Sequence, residues 1–299
     1  MPTKHIPVLL QETLEGLDLH PGDRVFEGTV GLGGHTEEIL KRIGEKGIYI
    51  GVDQDSQALA QAEKRLKSYK VAKIFREENF RNLDRVLDET QTPLVDKILF
   101  DIGLSNLQLE ESGRGFSFKR DEPLLMTFKT SPKGDDLTAK EIVNEWGKDS
   151  LADIIRGYGE DRFADRIANA IVAEREIKPI ETTNELASIV TTALPPSLRH
   201  GRIHPATKTF QALRIAVNDE LGALRQALAK GFERLAPRGR MAVVSFHSLE
   251  DRIVKNFFKD LATRGLGITT TKKPISPGEE ELEKNPKSRS AKLRIIKKN

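Results

Sequence analysis

An apolar run that ends in a turn built from three glycines limits this chain more than any other feature. Val25-Phe26-Glu27 reads as a short strand and Gly31, Gly33 and Gly34 as a turn. His35 onward reads as a helix with Ile39, Leu40 and Ile43 on one face. Glycine at such places lets the backbone take positive φ and lets a ligand approach main-chain N–H groups. A second apolar run, Ile48–Val52, ends in Asp53. That acid follows the glycines by about 20 residues, a spacing suited to a carboxylate that binds a ribose hydroxyl pair in a nucleotide-binding βαβ unit. The turn alone is equally what an ordinary tight turn looks like. The spaced acid is what favours a ligand.

The same alternation continues. Val71–Phe75 predicts a third strand, and Val95–Ile102 a fourth with Asp101 near its C-terminal end; Ser56 is placed to cap the helix that carries Ala58, Leu59, Ala62 and Leu66. Strands alternating with helices define an α/β chain with a mostly parallel sheet, whose ligands bind outside the carboxyl ends of the strands. Glu27, Asp53 and Asp101 all fall near such ends. From Leu107 to about Pro205 only helical patterns remain, among them Phe163, Ile167 and Ile171 at four-residue spacing and a capping box at Thr182–Glu185. This predicts a helical subdomain, residues 107–205, inserted into a sheet domain made of residues 1–106 and 206–299. One long amphipathic run from Phe210 to Leu235 leads back, and Pro237-Arg238-Gly239 ends it. Met241–Phe246, Ile268–Thr271 and Leu293–Ile296 supply further strands.

Composition narrows the chemistry. The 299 residues include no cysteine, which excludes disulfides, thiolate metal sites and cysteine nucleophiles. No apolar run reaches membrane-spanning length and no leader pattern is visible, so the expectation is a cytoplasmic protein without a membrane role. The net charge is only +3, yet Lys272–Asn299 holds nine Lys and Arg against four Glu. Such a segment suits phosphate contacts, and equally a solvated tail. His200 and His204 have i,i+4 spacing, but no third ligand is evident and Pro205 interrupts a helix, so no metal is expected. Ser245, His247 and Ser248 lack the surrounding glycines of a hydrolase elbow.

Glu27, Gly31-x-Gly33, Asp53 and Asp101 together resemble the class I S-adenosylmethionine-dependent methyltransferases. Longer blocks are more specific: His5–Leu10, Gly33-Gly34-His35, Phe100–Ser105, Arg114–Phe118, Tyr158–Phe163, His204–Ile215, Ser245–Arg252 and Ser288–Arg294. On these the chain is similar to the bacterial 16S ribosomal RNA cytidine N4-methyltransferases, the RsmH (MraW) family, from residue 5 nearly to the end. The resemblance implies a Rossmann-like methyltransferase sheet with an inserted helical domain that recognises substrate. It implies S-adenosylmethionine as cofactor, contacted by Gly33, Gly34, His35, Asp53, Phe80, Asp101 and Gln108. Phe80 would stack on the adenine, although it also reads as a core aromatic. The implied reaction is methylation of the N4 amine of a cytidine in the decoding region of 16S ribosomal RNA. Asp101 is the candidate proton acceptor, by carboxylate or main-chain carbonyl, with Ser105 and Asn106 positioning the base. Lys119 and Arg120, beside Phe116 and Phe118, are candidates to guide the nucleotide, or else form a hydrophobic hinge with solvated charges. Lys208, Arg214 and Arg252 are candidates for RNA phosphates. The partner is 16S ribosomal RNA or the small ribosomal subunit; oligomeric state is not legible.

The chain departs from the family pattern at Leu125, Thr127 and Lys129, where a Pro-Leu-Asp-Met-Arg-Met-Asp run is usual. This leaves open a catalytically weak or inactive RNA-binding ribosome-assembly protein. A nicotinamide-dependent oxidoreductase would want a third glycine where Thr36 stands.

Overall fold

A computed structural model describes residues 7–132, 134, 136–201 and 203–299, with the side chain of Asn106 excepted. His5 and Ile6 of the first family block lie outside the described residues. The chain divides into two compact units, one made of residues up to Gly103 together with Leu221–Asn299, the other of Leu104–Glu220.

The first unit is built on seven strands: β1 (Arg24–Glu27), β2 (Ile48–Asp53), β3 (Ala72–Glu77), β4 (Val95–Asp101), β5 (Leu235–Ser245), β6 (Gly267–Thr269) and β7 (Lys292–Lys298). Their order is β3-β2-β1-β4-β5-β7-β6. All neighbours are parallel except β7, which runs antiparallel to both β5 and β6. Side chains alternate across the sheet, as the two-residue period of a strand requires. Phe26, Ile50, Ile98, Phe100, Met241 and Val243 face one layer, formed by helices Leu83–Glu89, Glu220–Arg234 and Ser248–Thr263. Val25, Tyr49, Leu99, Ala242 and Val244 face the other, formed by helices Leu10–Leu17, Gly34–Ile43 and Ser56–Leu66. Burial on both faces explains why Ile98–Phe100 of β4 and Met241–Val244 of β5 read as continuous apolar runs rather than alternating ones.

Several local expectations are corrected. The cap of the helix Ser56–Leu66 is Asp55, whose carboxylate accepts from the N–H groups of Gln57 and Ala58 at 3.1 and 3.2 Å. The amphipathic run from Phe210 to Leu235 is two helices, Thr207–Asn218 and Glu220–Arg234. Asp219 between them is left-handed, with φ 46°, a conformation that a short polar side chain tolerates. Pro237-Arg238-Gly239 does not precede β5 but lies within it. The pairing with β4 shifts register between Val95 and Lys97, opposite the left-handed Arg238 (φ 64°), so the punctuation marks a bulge and not a terminus.

The second unit is helical. Helices Ala139–Glu145, Lys148–Gly157, Ala164–Ile177, Thr183–Ala193 and Thr207–Asn218 surround a core that includes Ile142, Leu151, Ile155, Ile167, Ile171, Leu186, Val190 and Leu213. The Thr182–Glu185 capping box is present. Helix Thr207–Asn218, which the sequence reading joined to the sheet, puts Phe210 and Leu213 into this core.

The strand ends depend on one close approach. A Cβ added at Gly28, just after β1, would stand 2.5 Å from Phe100 Cδ1 and 2.9 Å from Phe80 Cβ. Both rings are buried, so Gly28→Val must displace core side chains. We expect a loss of about 1–3 kcal/mol in chemical denaturation; an unchanged midpoint would show that the rings can yield.

Candidate active site

The strand order reverses between β1 and β4, the place where open α/β sheets form a ligand crevice. Three carboxylates end the three strands there. Glu27 is level with Gly51 and Leu99, so Asp53 and Asp101 stand two residues further out on either side.

Glu27 is the innermost, 1% exposed. Its Oε2 accepts from Tyr49 Oη at 2.6 Å and from Thr36 Oγ1 at 2.8 Å. Burial pushes its carboxyl up to about 8 against these two hydrogen bonds, and the charges of Asp101 and Asp53 add to the rise. Thr36, which breaks the nicotinamide-type glycine pattern, therefore serves as a donor to Glu27. A proton held up to about pH 8 in the fold but released near 4.5 in the unfolded chain is a stabilising term that fades as pH rises between those values. Thermal unfolding of the wild type should accordingly fall between pH 5 and pH 8 more steeply than that of Glu27→Gln. At about 2–4 °C per kcal/mol the difference is readily measured; parallel curves would remove Glu27 as the source.

Asp53 accepts from Gly31 N–H at 2.8 Å and Asp55 N–H at 2.9 Å. These bonds oppose the burial that raises it to about 6. They also tie the glycine turn to the end of β2. Gly31 (φ 52°) has nothing within 4 Å of where a Cβ would be, so its outer side is open. Gly33 (φ 75°) caps the helix Gly34–Ile43, and a Cβ at Gly34 would collide with the Pro7 ring. Glycine is thus required for conformation at one position and for close packing at the next.

Asp101 ends β4. Its N–H donates to Thr29 Oγ1 at 2.8 Å, and Oδ2 lies 3.4 Å from Nδ1 of the buried His35. Oδ1 is buried with no hydrogen-bond partner among the described residues, while the side chain as a whole keeps 23% exposure. Burial first, and the Glu250 carboxylate second, push this acid up to about 7. Phe80 is 8% exposed and packs on Phe100 with ring centroids 5.5 Å apart. Asp53, Asp101, His35, Phe80 and the glycines belong to one unit and one sheet edge.

The remaining candidates lie elsewhere in the chain. In the second unit, Ser105 and Gln108 satisfy each other: Ser105 Oγ accepts from Gln108 N–H at 3.2 Å, and Gln108 Oε1 accepts from Ser105 N–H at 2.9 Å. They cap the short helix Asn106–Glu110. The side chain of Asn106 is outside the described residues. Phe116 is buried and stacks on Phe128 at 5.8 Å; Phe118 stacks on His204 at 4.3 Å. Lys119 is exposed, and Arg120 donates to Glu110 O at 2.7 Å. Lys208 donates to Glu160 O at 2.9 Å. Arg214 forms a two-bond pair with Glu220, 2.7 and 2.9 Å, with the two side chains only 16% and 4% exposed. A guanidinium so committed is a structural tie before it is a phosphate ligand. Arg252, in the first unit, is exposed.

The segment that departs from the family pattern is firmly held. Asn218 accepts from Phe128 N–H at 2.8 Å and donates to Met126 O at 2.7 Å, and Arg114 donates to Phe128 O at 2.6 Å. Thr127 is 5% exposed, and Lys129 pairs with Asp136. Sequence reasoning gave no role to Thr29, Tyr49 and Asn218, and none to Arg114 beyond its place in a family block. A lone threonine or asparagine carries no local signal; only the pairing partner, distant in sequence, reveals its purpose.

A sheet of order 3-2-1-4-5-7-6 with strand 7 reversed, carrying a glycine turn and carboxylates at its switch point, defines a class I methyltransferase. The chain belongs to the MraW methylase family, which it matches over residues 2–299. It is similar to the "Ribosomal RNA small subunit methyltransferase H" of Persephonella marina, 46% identical over 99% of both chains. It is similar also to that of a Sulfurihydrogenibium species, 47% identical over 98% of both. Among solved structures it resembles PH0851 with a TM-score of 0.50 at 13% identity, covering 98% of this chain and 46% of that one. That likeness shows the fold alone.

Proposed function

We propose that this protein transfers a methyl group from S-adenosylmethionine to the N4 amine of a cytidine in the decoding region of 16S ribosomal RNA. Membership of the MraW methylase family over essentially the whole chain supports the reaction class. The name of those relatives, small-subunit ribosomal RNA methyltransferase, supports the small-subunit RNA as substrate. The single observation that carries the chemistry is Asp101: an acid at the open end of β4 with one buried oxygen that has no hydrogen-bond partner among the described residues.

The residues of the sheet edge fit the cofactor. Asp53 would take the two ribose hydroxyls, Phe80 would offer its flat face to the adenine, and Gly33, Gly34 and His35 would border the methionine moiety. S-adenosylmethionine, when bound there, supplies an electrophilic methyl group. The amine of cytosine is a weak nucleophile because its lone pair is delocalised into the ring. An acceptor on the amine draws electron density to nitrogen and takes the proton as the new bond forms. Asp101, held near neutrality by burial and fixed at its backbone by Thr29, is suited to that task at physiological pH. Ser105, Asn106 and Gln108, a few residues further along, would border the base or the cofactor. Lys119, Arg120, Lys208 and Arg252 would meet RNA phosphates, and the helical unit Leu104–Glu220 would recognise the substrate. No helix among the described residues is long and apolar enough to cross a membrane, and we place the protein in the cytoplasm, where its substrate is made.

The test is incubation of the protein with labelled S-adenosylmethionine and small ribosomal subunits lacking the modification. Label on the exocyclic nitrogen of a decoding-region cytidine is expected. Cofactor binding without labelling of any cytidine amine would defeat the enzymatic reading and leave the non-catalytic assembly protein.

A further inference from the structure

On the first unit, between helix Ser248–Thr263 and the β6–β7 edge, lies a groove of about 460 Å³. Its floor is apolar, made by Phe258 and Ile295, and its walls carry Lys255, Lys259, Lys272 and Arg294. Among the described residues no acidic side chain lines it. Arg294 is neutralised by Asp251, which accepts from its guanidinium at 2.7 and 3.2 Å. The three lysines have no ion-pair partner among the described residues, and all three are exposed. Lys255 and Lys259 are one helical turn apart on the same face, a like-charge pair that weakens an isolated helix. Arg252 is the next residue on that face toward the helix N-terminus.

The direction of this basic row is set by the fold. Helix Ser248–Thr263 starts just after Ser245, at the carboxyl end of β5, and runs back along the sheet. Asp101 pairs with Val244 in the register, so the row begins at the sheet edge that bears the carboxylates and extends away from it. From Arg252 to Lys259 it covers about 10 Å at 1.5 Å per residue.

We propose that this groove holds the phosphate backbone of the substrate RNA flanking the target nucleotide, so that the lysines Lys255, Lys259 and Lys272 act as positioning residues outside the reacting centre. The inference rests on RNA being the substrate, and its three lysines lie outside both the family blocks and the inserted unit. Flexible ammonium groups over an apolar floor suit a strand whose charge is regular and whose sequence is not read.

The test compares the full-length chain with its Lys255→Gln/Lys259→Gln/Lys272→Gln variant on protein-free small-subunit RNA, by fluorescence anisotropy across a salt series. Cofactor titration and thermal unfolding serve as controls of the fold. Releasing three phosphates should reduce the slope of log affinity against log salt by about 2 and weaken binding at low salt by about tenfold or more. The matching triple Lys→Arg variant should keep the wild-type slope. An unchanged slope in the Gln variant overturns the proposal. So does a loss seen only with intact subunits, which assigns the groove to an acidic protein surface. A wild-type chain that methylates RNA with a slope indifferent to the lysines keeps the enzymatic reading and loses the groove. A chain that methylates nothing, yet shows the slope change, keeps the groove and loses the reading.

Discussion

Asp101→Asn is expected to lower kcat by about a hundredfold to ten-thousandfold with cofactor and RNA saturating, the usual worth of a positioned proton acceptor. Asparagine preserves the shape and removes only the basicity, so the fold and the Thr29 hydrogen bond to the backbone should survive. Asp101→Ala should be at least as impaired. The wild-type profile gives an independent check. Burial and the neighbouring Glu250 push Asp101 up to about 7, and only the ionised carboxylate can accept a proton. Turnover should therefore rise tenfold per pH unit below about 7 and level off above it. Near-normal turnover in both variants would exclude the side chain and leave the main-chain carbonyl as acceptor. A flat profile from pH 5.5 to 8 would show that proton acceptance does not limit the step.

The second large effect concerns the cofactor. Asp53→Ala is expected to raise the Kd for S-adenosylmethionine by about a hundredfold in calorimetric titration. The proposed pair of charge-assisted hydrogen bonds to ribose would be lost, each worth about 1.5–3 kcal/mol at best. The variant also strips Gly31 N–H and Asp55 N–H of their acceptor, so the glycine turn must be ordered at the moment of binding rather than before it. Asp53→Asn, which keeps one acceptor oxygen, should fall between the two. Because burial raises Asp53 to about 6, wild-type affinity should decline as pH falls below that value. A Kd for Asp53→Ala within threefold of wild type would mean the ribose is held by other groups.

The sheet and its acids were legible because strand and helix periods differ and because a carboxylate at the end of an apolar run is conspicuous. Glu27, Asp53 and Asp101 lie at the predicted strand ends. What the sequence did not give away has physical causes. Asp219 breaks a helical run without glycine or proline, since an aspartate can enter the left-handed region on its own. Pro237-Arg238-Gly239 looked like a terminus because bulge and turn use the same residues. The hold of Asn218 and Arg114 on Met126–Phe128 depends on partners far apart in the chain. In the basic row, Lys255 and Lys259 resemble any solvated helix face until β6 and β7 supply the opposite wall.

The pairing of Asp101 with Val244 also dictates an order of events during synthesis. β4 leaves the ribosome with one edge already able to join β1, and the other must wait until the whole of Leu104–Glu220 has been made. That waiting edge carries the apolar stretch Ile98-Leu99-Phe100 between Lys97 and Asp101, and an unpaired strand edge is a template that recruits other chains. The intervening segment has a core of its own. It can collapse as a unit while β5 is still unmade, shortening the flexible loop whose closure brings β5 to β4. The length of Leu104–Glu220 therefore sets how long that edge of β4 stays open before β5 is synthesised to cover it.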